Sequence, residues 1–84
     1  MKTHFIKLNI EFCDEILDGS KCFEIRKNDR GYQKGDHIKF NSVDQYGLWV
    51  GHDIEDREYK ITYVLNDWGL KEGYVALGIK ELME

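Results

Sequence analysis

The sequence predicts an α+β fold: a small mixed, partly closed β-barrel of about five or six strands, with one short helix after the first strand. Three observations carry this expectation. Apolar residues alternate with a period of two along most of the chain, one segment near the start switches to helical spacing, and turn residues recur at hairpin intervals. With 84 residues the chain has room for a single domain, 1–84, so nearly all of its apolar side chains must serve one core. A sheet that curls toward closure also hides the edges that so short a chain has little else to cover.

Residues 4–8 place His4, Ile6 and Leu8 on one face and Phe5 and Lys7 on the other, which predicts the first strand. Phe12, Ile16 and Leu17 then recur at helical spacing over residues 10–18. Asn9 can cap this helix, Glu11 lies in its first turn, and Gly19 can end it in the left-handed conformation. A helix of roughly two turns does not persist alone, so it must pack on the sheet. Lys21–Lys27 reads as a strand that anchors Phe23 and Ile25 on one face and aims Cys22, Glu24 and Arg26 to the other. Asn28-Asp29-Arg30-Gly31 and Lys34-Gly35-Asp36 are turns. His37–Val43 alternates again with Ile38 and Phe40 inward, and Asp44-Gln45-Tyr46-Gly47 leads into a hairpin strand at Leu48–Val50. Residues 51–58 are dense in acid and expected to be exposed. Tyr59–Leu65 and Tyr74–Ile79 complete the strands, joined by residues 66–73.

Composition narrows the function. A hydrophobic fraction of 42% with eleven aromatics (4 Phe, 5 Tyr, 2 Trp) is too high for a disordered chain. No stretch approaches the ~20 apolar residues of a membrane span. The amino terminus has no sustained apolar run, which predicts no secretory signal and a cytoplasmic location. Cys13 and Cys22 fit neither a redox pair nor a zinc site and lie on expected core elements, so they read as packing residues. His4, His37 and His52 are too widely separated to suggest a metal site, and no phosphate-loop motif is present, so no metal or cofactor is expected.

The net charge of −4 argues at first against a nucleic-acid binder. By segment the picture changes: residues 1–20 carry −2, residues 21–39 carry +3, and residues 40–84 carry −5. A basic block inside an acidic chain can form a local anion site, because screening limits exposed charges to a range of about 8–10 Å. It can equally be a solvated hairpin that keeps a sheet edge soluble.

The block opens on Gly19-Ser20-Lys21-Cys22-Phe23-Glu24-Ile25-Arg26. The strand period brings Glu24 and Arg26 to one face, with Lys21 where the strand begins. Such a trio can be a structural ion pair, or it can offer an acceptor and a fork of donors to a base or phosphate. Tyr32, Tyr46, Trp49, Trp68 and Tyr74 sit in or beside loops, where they either stack on bases or cover the ends of the core.

Gly19-x-Lys21-x-x-Glu24-x-Arg26, followed by Lys34-Gly35-Asp36, resembles the motif of ASCH domains (activating signal cointegrator homology) of the PUA-like superfamily. The run from Ile16 to Arg30, with Gly69-Leu70-Lys71-Glu72-Gly73-Tyr74-Val75, resembles a subfamily of small bacterial and phage ASCH-like proteins. The resemblance implies a PUA-like mixed barrel that binds RNA or a nucleotide in a cleft beside the helix-to-strand junction. Lys21, Glu24 and Arg26 would line that cleft, with Lys27, Arg30 and Tyr74 as further ligand-binding candidates. Some small ASCH proteins are similar to amidohydrolases acting on N4-acylated cytidine, which implies a second reading with Lys21 and Glu24 as catalytic residues. In those enzymes a Thr stands where this chain has Glu24. A third reading is a non-catalytic protein-interaction module of phage origin that uses the acidic carboxy-terminal half.

Overall fold

A computed structural model describes residues 1–83. The elements run β1 (Thr3–Asn9), α1 (Ile10–Leu17), β2 (Phe23–Lys27), β3 (His37–Val43), a 3₁₀ turn at Asp53–Asp56, β4 (Tyr59–Asn66) and β5 (Tyr74–Glu81). This is a small mixed α+β fold of one five-stranded sheet and one α-helix among the described residues. Among the described residues no helix is long and apolar enough to cross a membrane.

Strand β1 buries His4, Ile6 and Leu8, as its period requires. Asn9 then leaves the helical region at φ −60° and ψ 135°, and its side chain accepts from the Glu11 N–H at 3.0 Å, which starts α1. The helix ends at Gly19, whose φ of 87° lies in the left-handed region. Its buried stripe is Cys13 and Ile16, with Leu17 partly buried, rather than the expected stripe that includes Phe12. The small thiol side of the helix fits closely over β1 and β3, and Phe12 is left at the surface.

The strand order is β1-β3-β4-β5-β2, parallel between β1 and β3 and antiparallel elsewhere. The parallel pair needs a crossover, and α1 with β2 supplies it. The sheet is open, with β1 and β2 as its edges, so the expected partial closure by a strand ladder is absent among the described residues. Among the described residues a single side-chain bond spans the gap, from the Arg26 guanidinium Nη2 to the Lys7 carbonyl. The core gathers Ile6 and Leu8 of β1, Ile38 and Phe40 of β3, Ile61 of β4 and Leu77 of β5. Tyr59 packs edge-on against Phe40 with ring centroids 5.4 Å apart.

Three further expectations need correction, and one open alternative is resolved. Leu48–Val50 is not a strand: one bridge joins Val43 to Trp49, while the Asp44 carboxylate accepts from the Tyr46 and Leu48 N–H groups and closes the turn on itself. The acidic stretch 51–58 is not simply exposed, because its 3₁₀ turn inserts Ile54 into the core at 0% exposure. Of the two roles left open for the loop aromatics, Tyr32 takes the core-covering one and not the base-stacking one: it is buried, its ring 4.8 Å from that of His4. Finally, β2 faces the other way: Phe23 and Ile25 are outward, Glu24 is buried, and Cys22 is exposed rather than packed.

Candidate functional site

The inversion of β2 makes the site. With Phe23 and Ile25 outside, the period of two turns Glu24 and Arg26 under the sheet at its open edge. Glu24 is only 5% exposed, in register with Leu77 of β5, and a carboxylate there needs partners. It has two. Lys21 Nζ donates to its Oε1 at 2.6 Å and Arg26 Nε donates to its Oε2 at 3.0 Å.

Lys21 is held from several sides. Its ammonium also donates to the Phe23 carbonyl at 2.8 Å and lies 4.7 Å and 5.2 Å from the ring centroids of Phe23 and Phe12. Gly19 and the Ser20 N–H, bonded to the Asp18 carboxylate, deliver the chain into this position. Arg26 uses its remaining reach to hold the Lys7 carbonyl of β1. Lys21 thus spends two of its three N–H donors within the protein, and Arg26 two of its five. The donors left over are available to an acceptor outside.

They face a groove of about 650 Å³ between the two sheet edges. Its lining carries Lys7, Lys21, Arg26 and Lys27 against one carboxylate, Glu24, a balance of +3 in a chain of net charge −4. Phe12, Phe23 and Tyr74 give it flat apolar surface. The hydrogen-bonding alternation adds backbone groups. Cys22 and Asn28 direct their backbone bonds to β5 and the turn before it, so those of Phe23, Ile25 and Lys27 point to the open edge, where Lys21 donates to the Phe23 carbonyl and the Asp29 N–H donates to that of Lys27.

Of the six residues singled out by sequence, five line this groove: Lys21, Glu24, Arg26, Lys27 and Tyr74. Arg30 does not; it lies exposed in the loop after β2. Its guanidinium and that of Arg26 act on Tyr32, whose hydroxyl burial nevertheless pushes up. Lys7, Asn9 and Phe12 belong to the groove and escaped sequence reasoning. Lys7 stands on the polar face of β1, but only the strand order places that edge opposite β2.

The other titratable clusters lie apart from the groove lining. The His4 Nε2 donates to the buried Asp36 carboxylate at 2.8 Å, which also accepts from the Lys2 and Gln33 N–H groups. Glu55 accepts from the Ser42 N–H and hydroxyl and from Trp49 Nε1. His52 Nδ1 accepts from the Ile54 N–H, so its Nε2 carries the proton given to Asp14 at 2.7 Å. Burial, reinforced by the charges of Asp14 and Glu55, pushes the Cys13 thiol up to about 11, which leaves it unreactive.

Residues 3–79 match the model of a domain of unknown function, DUF3850. The chain is 38% identical over 76 residues to the "Uncharacterized 12.9 kDa protein in GpA 3'region" of Escherichia phage P2. That alignment covers 90% of this chain and 66% of the phage protein, so the chain spans a little under two thirds of that relative's length. In fold it is similar to the crystal structure of hypothetical protein PH0355, with a TM-score of 0.62 and 19% identity, covering 98% of this chain and 100% of the other. The match along nearly the whole domain places this chain in the DUF3850 family.

Proposed function

We propose that this domain is an ASCH/PUA-like module that binds RNA or a nucleotide in the groove between β1 and β2. The observation that carries the reading is the groove's lining: four basic side chains against one carboxylate, in a chain that is acidic overall. Lys21 and Arg26 meet phosphate or carbonyl oxygens with their spare donors. Glu24, with both oxygens already engaged, orients Arg26 and Lys21 toward the ligand. Phe12, Phe23 and Tyr74 supply surface for a base. The Arg26 bond to Lys7 supports the barrel-like part of the reading, since it ties the two edges where a ladder would close them. Such a module would work in the cytoplasm.

Net charge makes the domain a poor binder of long duplexes, where interactions with phosphates supply the affinity. A compact cationic groove suits one nucleotide or a single strand. Both Glu24 oxygens are engaged by Lys21 and Arg26, which leaves neither Lys21 nor Glu24 free as a base and favours binding over hydrolysis of an acylated nucleoside.

The test is calorimetric titration with nucleoside monophosphates and anisotropy with short oligonucleotides across a salt series. Lys7→Ala with Lys27→Ala is the informative variant, because both side chains are exposed and neither holds Glu24. Binding should weaken, and the salt slope for a single strand should fall by roughly 0.7 for each phosphate that no longer meets a lysine. Absence of saturable, salt-sensitive binding, or binding unchanged in that variant, defeats the proposal.

A further inference from the structure

The outward face of the sheet continues the apolar lining of the groove beyond Phe23 and Ile25. Phe23 and Ile25 are 47% and 52% exposed, and Tyr63 of β4 is 60% exposed. Register sets Phe23 beside Gly78 of β5, and Gly78 beside Tyr63. The row therefore crosses three strands, with two rings about 10 Å apart at their backbones and, between them, Gly78, whose missing side chain leaves room for the Thr62 hydroxyl. The bulge between Ile61 and Tyr63 sets Thr62 and Tyr63 over Gly78, and a Cβ there would meet Thr62 Oγ1 at 2.8 Å.

This row joins two cationic grooves. On the β2 side is the one already described. On the β4 side Thr62 lines a second, of about 580 Å³, with Lys34, Lys60 and Lys80 against a single carboxylate, Glu81. Lys60 and Lys80 are direct cross-strand partners, a like-charge pair that costs stability in the free protein. The outward positions of β2, β4 and β5 carry no carboxylate among the described residues.

We infer that a single-stranded polynucleotide runs across this face, from the Lys21–Arg26 groove over the Phe23–Gly78–Tyr63 row to the lysines at Lys34, Lys60 and Lys80. The inference rests on the reading of the first groove as a nucleotide site and extends it to a path of several nucleotides. Charge selects the occupant: an apolar stripe alone would suit a protein, but lysines at both ends of it on an acidic domain suit a polyanion. The exposed rings offer stacking to bases whatever their sequence.

The experiment compares uridine monophosphate, a short oligouridine and an oligothymidylate of equal length, using calorimetry and fluorescence anisotropy over a salt series. The variants are Tyr63→Ala, Tyr63→Phe, and Lys60→Ala with Lys80→Ala, none of which touches the lining of the first groove. Circular dichroism confirms that each is folded. The oligomers should bind more tightly than the mononucleotide. Tyr63→Ala should weaken them about tenfold and Tyr63→Phe should restore them. The lysine pair should lower the salt slope by roughly 0.7 per residue, with mononucleotide affinity unchanged throughout. The two oligomers separate RNA from DNA, and tight binding of either supports the path. If the mononucleotide binds but oligomers gain nothing, or the variants leave that gain intact, the path is overturned while the groove reading stands. If neither probe binds, both fall. A wild-type dimer that Tyr63→Ala dissociates assigns the face to a second copy and also overturns the path.

Discussion

Removing both cations from Glu24 should unfold the domain at a much lower temperature, and removing the carboxylate as well should bring it back. In the wild type the Glu24 side chain is 6% exposed and bonded to Lys21 and Arg26. Either Lys21→Met or Arg26→Met deletes one charge-assisted bond to that carboxylate and leaves the other, at a cost of about 1.5–3 kcal/mol. The double variant strands a buried charge, which costs about 3–5 kcal/mol. For a domain of this size each kcal/mol moves Tm by about 4–8 °C, so the double variant should melt roughly 20 °C lower. Adding Glu24→Leu replaces the network with an apolar side chain in register with Leu77, a change that is commonly neutral or stabilising. Thermal melts and urea titrations of the wild type and these variants measure the series. The triple variant should recover most of the stability and still fail to bind nucleotide, since the donors are gone. A double variant as stable as the wild type would refute the argument, because Glu24 would then be solvated rather than held. A triple variant no more stable than the double would also refute it, by tracing the destabilisation to packing of the long side chains.

Two further outcomes follow from groups outside the groove. Burial pushes the Asp36 carboxyl up, but the bond from His4 and the N–H groups of Lys2 and Gln33 outweigh it and hold it below the usual range. A depressed folded value contributes stability above the unfolded value of about 3.9 and loses it as pH falls through the folded value, so Asp36→Asn should flatten the acid limb of a urea-midpoint profile against pH. Iodoacetamide should label Cys22 alone in the native protein and Cys13 only in denaturant, read by mass spectrometry, since Cys22 is exposed and the Cys13 thiol is buried and pushed up to about 11; rapid native labelling of Cys13 would contradict the packing of α1.

Much of the fold was legible because period and punctuation agree. Asn9 and Gly19 bracket α1, and the alternation in β1, β3, β4 and β5 sets which side chains share a face. What period does not give is which face is inside. In β2 the ordinary assumption puts Phe23 and Ile25 in the core, and the sheet places them out, because β2 is an edge strand whose inner side meets β1 across a polar gap. The same limit explains the site. Lys21, Glu24 and Arg26 are neighbours in sequence, so their clustering follows from strand geometry, whereas Lys7 and Phe12 reach the groove only through the order β1-β3-β4-β5-β2. Pairing between residues far apart in sequence leaves no local signature.

The inverted face also bears on the two accounts of the basic block. Charges that keep a sheet edge from pairing with other chains work from exposed positions, as Lys7 and Lys27 do. That role does not need a carboxylate buried beneath the edge, with its desolvation cost, nor two cations fixed upon it. Glu24 neutralises only half of the charge it gathers, so the cluster keeps one net positive charge together with the donors that Lys21 and Arg26 do not use internally. Places where local pattern and global fold disagree tend to be sites of function, and β2 shows such a disagreement: Phe23 and Ile25 turned outward beside a groove, and an ion network turned in. Edge protection would explain Lys7 and Lys27 alone, whereas the proposed ligand would account for Lys21, Glu24 and Arg26 and would use Lys7 and Lys27 as well.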